Sequence, residues 1–398
     1  MGWPIHRPLG LTHHEPSRSC KGYTLICGLG AQDAVLLDMQ GRVAHRWHFP
    51  DRRLFNVELL PNGNLLAMVS PLTPPPPRTD ENVTRFTLDP GAPPDTFNFL
   101  GGRGVGLREL DWDGEVVWDY ENEAIHHDFH RCENGNTIFL EWVAMPEEIG
   151  EAVLGGGHLP DQPGPPTMIG DDIVEVDASG KEVSRIHLWD ALKPEDAPKC
   201  PLEHRWEWTH TNSIEQLPDG GLLFSSRDTS IVGIIDLPNG GEPASLRWKF
   251  GWPEISHQHH ANRLADDRIL IYDNGMHRLQ DLSYSRIVAV DPETDRVDVI
   301  YQGVPREQFF SAHISGVSQL SNGNFLVTEG AAGRLFEIDG RGQVVWEWVS
   351  PFQVKQRGDT CNWVFRAWRY DGDYAGLADR ELHAERFSEF NRLHGLVV

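Results

Sequence analysis

Four stretches of this chain each run from a histidine into a short apolar segment and then a turn. They are HHDFHRCENGN (126–136), HTNSIEQLPDGG (210–221), HQHHANRLADD (257–267) and HISGVSQLSNGN (313–324), and a fifth copy, RLFNVELLPNGN (53–64), lacks the histidine. Equivalent positions of a repeat occupy equivalent places in a fold, so imidazoles far apart in sequence are expected to converge. Aligned on their turns, Ile125, His210, His257 and His313 share one level. His127, Asn212, His259 and Ser315 lie two residues on, facing the same way by strand alternation. A neutral imidazole can attack an electrophilic sulfur or phosphorus, provided neighbouring donors stabilise the charge that develops. That chemistry needs a cation, and SSRDTS (225–230) contains one. Arg227 follows the turn after His210, so the hairpin returns it toward His210 and Asn212.

The elements that must hold these residues are hairpins. The histidine segments close on turns such as ENGN, LPDGG and SNGN. A second signature alternates with them in AVLLDMQGRVAHRW (34–47), LRELDWDGEVVWDY (107–120), DIVEVDASGKEVSRI (172–186), SRIVAVDPETDRVDVIY (285–301) and RLFEIDGRGQVVWEW (334–348), with a degenerate copy at 231–250. Each alternates apolar and polar residues, carries an Asp before a turn and resumes as a second strand. Repeats of about 40–70 residues built from two hairpins are β-propeller blades of four antiparallel strands. The fold class is therefore all-β, a six-bladed β-propeller. Its missing inner strand comes from CNWVFRAWRY (361–370) laid beside GYTLIC (22–27), so the two chain ends share a blade and close the ring. Residues 1–21 are an N-terminal extension, 22–370 the propeller, and 371–398 a helical tail packed on it, with ADRELHAERFSEF (378–390) as its amphipathic helix. Two insertions, 71–105 and 143–171, are expected to cover the histidine end, the second through a short helix in PEEIGEAVL. The glycine run GGRGVG (101–106) precedes a strand rather than a helix, which argues against a phosphate loop.

The segments WTHTNS…FSSR (208–227), HHD (126–128), QHHA…IYDNG (258–275) and VFRAWRY (364–370) resemble the bacterial arylsulfate sulfotransferase family over about residues 22–370. The resemblance implies a six-bladed propeller that moves a sulfuryl group from an aryl sulfate to a phenol through a sulfated histidine, with no cofactor required. It also implies His259 as the nucleophile, with His127, His210, Asn212 and Arg227 binding the sulfuryl group. Around these, His257, His313 and Arg366 are candidate substrate contacts. Trp208, with Trp206 and Trp252, is either an aromatic wall for a small aromatic substrate or core. Well-known members are exported and carry a further N-terminal β-domain, features that residues 1–20 do not display.

The same imidazoles support other readings. Three or four neutral histidines from His127, His210, His257, His259 and His313 could hold Zn, Fe or Mn for a lyase, hydrolase or oxygenase. Asp128, Asp273 and Glu329 would then be candidate second-shell acceptors. The third reading is a propeller that serves as a non-catalytic binding platform, in which case the inner histidines are dispensable.

Composition narrows the partners. Among 398 residues, 35 are basic and 59 acidic, a net charge of −24, which opposes nucleic acid and anionic membrane surfaces. Any anion site must therefore be local. Neither a signal-peptide run nor a bilayer-spanning stretch is seen, so a cytoplasmic location is expected. Five widely spaced cysteines without a C-x-x-C read as reduced thiols. No pattern in the chain speaks to oligomeric state.

Overall fold

The computed structural model describes residues 8–73, 100–157, 168–238, 243–278, 282–356 and 359–396. The fold is a six-bladed β-propeller, each blade an antiparallel four-stranded meander that one added edge strand extends to five in a single case. The blades fall three and three into two units.

The unit of Met1–Leu72, Arg108–Asp119 and Ile314–Val398 contains the closing blade. There Val364–Tyr370 is the first strand and pairs with Tyr23–Gly28, with Tyr23 opposite Tyr370 and Leu25 opposite Trp368. The chain ends thus share a blade, as the sequence indicated. The extension contributes the strand Gly10–His14, which pairs along the outer strand Val344–Val349 and covers an edge that would otherwise present unpaired backbone groups. The indoles of Trp346 and Trp348 donate to Met39 O and Gly41 O of the neighbouring blade. The tail is less helical than its amphipathic pattern predicts. A 3₁₀ turn at Ala384–Phe387 leads into a short helix, Ser388–Leu393. Asn391 there bonds the backbone of Val43 through both ends of its amide.

The unit of Thr73–Leu107 and Tyr120–His313 holds the histidine blades. Their first strands are Ile125–Arg131, Thr211–Gln216 and His259–Arg263. Buried side chains such as Leu140, Ile173, Ile214 and Phe224 fill the space between the first two blades, and Leu223, Val232, Ile269 and Ile271 between the last two. The PEEIGEAVL segment forms the helix Glu147–Ala152. Residues 74–99 and 158–167, the greater part of what was expected to cover the histidine end, lie outside the described residues.

Turn chemistry explains the repeats. In the inner hairpins the side-chain oxygens of Asn62, Asn134, Asp219, Asp266 and Asn322 accept from the backbone N–H two residues on. The next residue adopts positive φ, as at Gly63, Gly135, Gly220 and Gly323, while Asp267 takes φ +69° where its counterparts are glycine. In the outer hairpins Asp38, Asp111, Asp177 and Asp339 each accept from two backbone N–H groups. The recurring Asp is thus a turn residue. Among the described residues, no helix is long and apolar enough to cross a membrane.

Candidate active site

The backbone at the histidines departs from a regular strand. His127, His210, His257 and His260 all have φ between +51° and +53°. Such left-handed conformations cost about 1–2 kcal/mol in a non-glycine residue and persist only where surrounding structure imposes them. The pairing register shifts beside them, between Phe139 and Leu140 and between His259 and Asn262. Strand alternation therefore fails here. His210, His257 and His313 precede their strands rather than opening them.

His127 and His210 meet with ring centroids 4.5 Å apart and planes at 71°. His259 belongs to the same electrostatic group. The charges of Arg227, His210 and His313 bear on it, and it in turn bears on His127. The hairpin returns Arg227 to His210, whose carbonyl accepts the Arg227 backbone N–H at 3.2 Å. Over His127 lies Gly102, with φ +94° and its carbonyl accepting the His127 N–H at 2.9 Å. A Cβ on Gly102 would come within 2.2–2.4 Å of three atoms of the His127 ring. Gly102 thus forms a roof over His127 where a side chain does not fit.

Protonation is set ring by ring. Asn274 Nδ2 donates to Ser311 O at 2.8 Å, which fixes the amide so that its Oδ1 faces His259 Nδ1, also at 2.8 Å. His259 must therefore carry its proton on Nδ1, and Nε2 keeps a lone pair. Burial first, and then the Arg227 charge, push its pKa well below the ordinary value, so the ring is neutral. Burial and then the His210 charge do the same for His127. His210 is opposite in sign. Burial works against its charge, yet Glu207 outweighs it and the pKa is raised. Glu207 Oε2 lies 2.6 Å from His210 Nδ1, and its Oε1 accepts from the Trp142 indole at 2.8 Å. Two neutral imidazoles thus stand beside one disposed to hold a proton, the pattern of divided acid and base roles.

Behind these rings His126 stacks on Trp142, with centroids 4.5 Å apart. Its Nδ1 is 2.8 Å from His127 Nδ1, and its Nε2 is 3.4 Å from Asp171 Oδ1. Asp171 Oδ2 accepts from Thr209 Oγ1 and the Thr211 N–H. Arg227 Nη1 donates to Glu203 Oε1 at 2.9 Å and to Asp228 Oδ1 at 2.5 Å, and Asp228 is paired in turn with Lys199. Among the described residues, both side-chain bonds of Arg227 are made by Nη1, leaving the Nε and Nη2 donors for an anion.

The remaining predicted residues are placed differently. Trp208 is core and no aromatic wall. It is 0% exposed within the cluster between blades, and its indole donates to Ala197 O at 3.1 Å. Asn212 joins two blades, donating to Gln258 O at 2.9 Å and accepting from the His260 N–H at 3.2 Å. His257 is drawn aside to Glu203, with Nε2 3.2 Å from Oε1, and its ring meets His277 at 4.7 Å. It shares with His210 a left-handed φ and a place before its strand, but its ring turns to Glu203 and His277. His313 sits in a bend, its carbonyl accepting from Ser311 Oγ at 2.8 Å. Arg366 lies in the other unit, its guanidinium over the Phe365 and Trp368 rings at 5.2 and 5.7 Å.

The five-histidine metal set is not assembled as expected. Among the described residues, the groups whose ligand atoms converge within 4.8 Å are Cys200–His257–His277 and Glu203–Asp228–His257, which share only His257 with it. Of the expected second-shell acceptors, Asp128 accepts the Ile214 N–H, while Asp273 pairs with Arg278 and Arg286 and Glu329 with Arg334. Glu207, Asn274, Gly102, Glu203 and Asp228 join the site without a sequence signal that marks them for it. Asn274 directly follows the strand Ile269–Asp273, and Glu207, three positions before His210, carries no pattern that marks it.

A family model described as Arylsulfotransferase (ASST) matches residues 98–351. No curated protein matches the chain. Among solved structures, a protein of unknown function from Bacteroides caccae aligns with TM-score 0.50 and 12% identity, covering 88% of this chain and 98% of its own. A virginiamycin B lyase from Staphylococcus aureus aligns with TM-score 0.43 and 13% identity, covering 87% and 85% respectively. These structural likenesses concern the fold alone.

Proposed function

Because this chain belongs to the arylsulfotransferase family, we propose that it moves a sulfuryl group from an aryl sulfate to a phenolic acceptor, with His259 carrying the group between them. The observation that supports this most directly is the state of His259. It is buried and neutral, with its proton held on Nδ1 by Asn274 and the charge of Arg227 bearing on it.

In the first half-reaction the Nε2 lone pair attacks sulfur. The N–S bond forms as the S–O bond to the aryl group breaks, and the electron pair leaves on the phenolate oxygen. His210, whose pKa Glu207 raises, supplies the proton that oxygen takes up. The Nε and Nη2 donors of Arg227 hold the sulfuryl oxygens, and neutral His127 borders them. In the second half the acceptor phenol gives its proton to His210 and attacks sulfur, and the N–S electrons return to His259. A chain of net charge −24 repels an anionic donor at long range, so Arg227 is the local device that admits it. His313 borders the nucleophile, and Asn212 holds the two blades in register. The five free thiols suit a reducing compartment, which fits the cytoplasm.

The test is a rapid-quench reaction with a chromogenic aryl sulfate and no acceptor. The expected result is a burst of phenol equal to the enzyme, a mass increase of one sulfuryl group mapping to His259, and loss of both in His259→Ala. A wild-type enzyme that shows turnover without a burst and without modified histidine overturns the reading.

A further inference from the structure

A second chemical cluster adjoins the Arg227 pair and is not used by the reaction above. Cys200 and Glu203 lie on the strand Lys199–His204, His257 precedes the strand His259–Arg263, and His277 follows the strand Ile269–Asp273. Cys200 Sγ is 3.5 Å from His277 Nδ1. Glu203 Oε1 is 3.7 Å from that same nitrogen and 3.2 Å from His257 Nε2. One ligand atom each from Cys200, His257 and His277 lies within 4.8 Å of the others. A tetrahedral zinc site with Zn–S near 2.3 Å and Zn–N or Zn–O near 2.1 Å separates its ligands by about 3.6 Å for S···N and about 3.4 Å for N···N or N···O. The Cys200–His277 separation of 3.5 Å and the Glu203 separations of 3.7 and 3.2 Å are close to those edges.

His257 gives an independent indication. Its ring is 1% exposed, and among the described residues Nε2 meets no hydrogen-bonding partner of regular geometry, its neighbour being the Glu203 carboxylate at 3.2 Å. A buried ring nitrogen left in that state is costly unless it is filled by another partner. The opposite nitrogen, Nδ1, is oriented by Ser256 Oγ at 3.2 Å, which leaves Nε2 as the ligand atom. Cys200, His257 and His277 all line a cavity of about 970 Å³, which provides an entry path.

We propose that Cys200, His257 and His277 form a binding site for a zinc-class divalent ion, with Glu203 available as the fourth ligand. A mixed thiolate, imidazole and carboxylate set selects zinc or cobalt over magnesium and calcium, which take oxygen ligands. The site is distinct from the His259 nucleophile and adjoins its surroundings through Glu203 and Asp228, both of which Arg227 contacts.

Cobalt titration of the untagged, reduced and chelator-treated full chain tests this by absorption. The expected result is uptake of one equivalent with a thiolate-to-cobalt charge-transfer band, displaced by zinc. Cys200→Ser loses the band, and His277→Ala weakens binding by more than about 100-fold while circular dichroism shows the fold retained. Absence of the band in the wild type overturns the proposal, as does its persistence in Cys200→Ser or unchanged affinity in His277→Ala. Should Cys200→Ser fail to fold, the wild-type spectrum still decides, because a site without sulfur gives no such band.

Discussion

Glu207 Oε2 sits 2.6 Å from His210 Nδ1, and this one contact reverses what burial does to the other imidazoles of the site. His127 and His259 are driven neutral, whereas His210 is raised above its ordinary value. Glu207→Gln keeps the shape and removes the charge. A raised pKa keeps His210 protonated to higher pH, so the variant should move the alkaline limb of the kcat/KM profile to lower pH. The rate at neutral pH should fall by about 10²-fold or more, the usual worth of a positioned proton donor. A pH–rate profile of both proteins checks this; an unmoved alkaline limb would remove His210 from the acid role.

Acid stability should report the buried neutral rings. The folded pKa values of His127 and His259 lie well below the unfolded value of about 6.5. Below that pH the unfolded chain binds protons that the folded chain refuses, so stability present above about pH 6.5 is lost as pH falls. His210 has the opposite sign, its contribution being present at low pH and lost as pH rises through its raised value. Thermal melts from about pH 7 to about pH 5 should therefore decline less steeply in His259→Gln than in the wild type.

Gly102→Ala tests the roof over His127. The new Cβ meets the ring at 2.2–2.4 Å on a backbone of φ +94°. We expect about 1–3 kcal/mol of destabilisation, read by denaturant unfolding, and a larger proportional loss of kcat as the ring is displaced. Wild-type kinetics in a stably folded variant would show that the position of His127 does not matter.

Trp208→Ala separates core from substrate wall. A fully buried indole between blades should cost about 3–5 kcal/mol when removed, measured by chemical denaturation. Trp208→Phe, which retains most of the packing, should leave KM for the aryl donor unchanged; a raised KM would restore a substrate contact.

The architecture and the family are legible in consecutive residues. Hairpin turns are local chemistry: an Asn or Asp capping the backbone two residues on, then a residue at positive φ, is written in consecutive letters such as ENGN and SNGN. Counting those hairpins yielded six blades, and pairing VFRAWRY with GYTLIC closed them. The chemical state of each imidazole depends instead on contacts made after folding. Glu207 and Asn274 act on His210 and His259 through side-chain contacts that no spacing encodes, and Gly102 meets His127 from a different blade connection. Alignment on the turns set His257 level with His210, and alternation set it on the same face as His259, but the left-handed backbone at these histidines breaks the period of two on which such reasoning stands. That turn brings His257 to Cys200 and His277, residues that are far apart along the chain and adjacent only once the blades have packed.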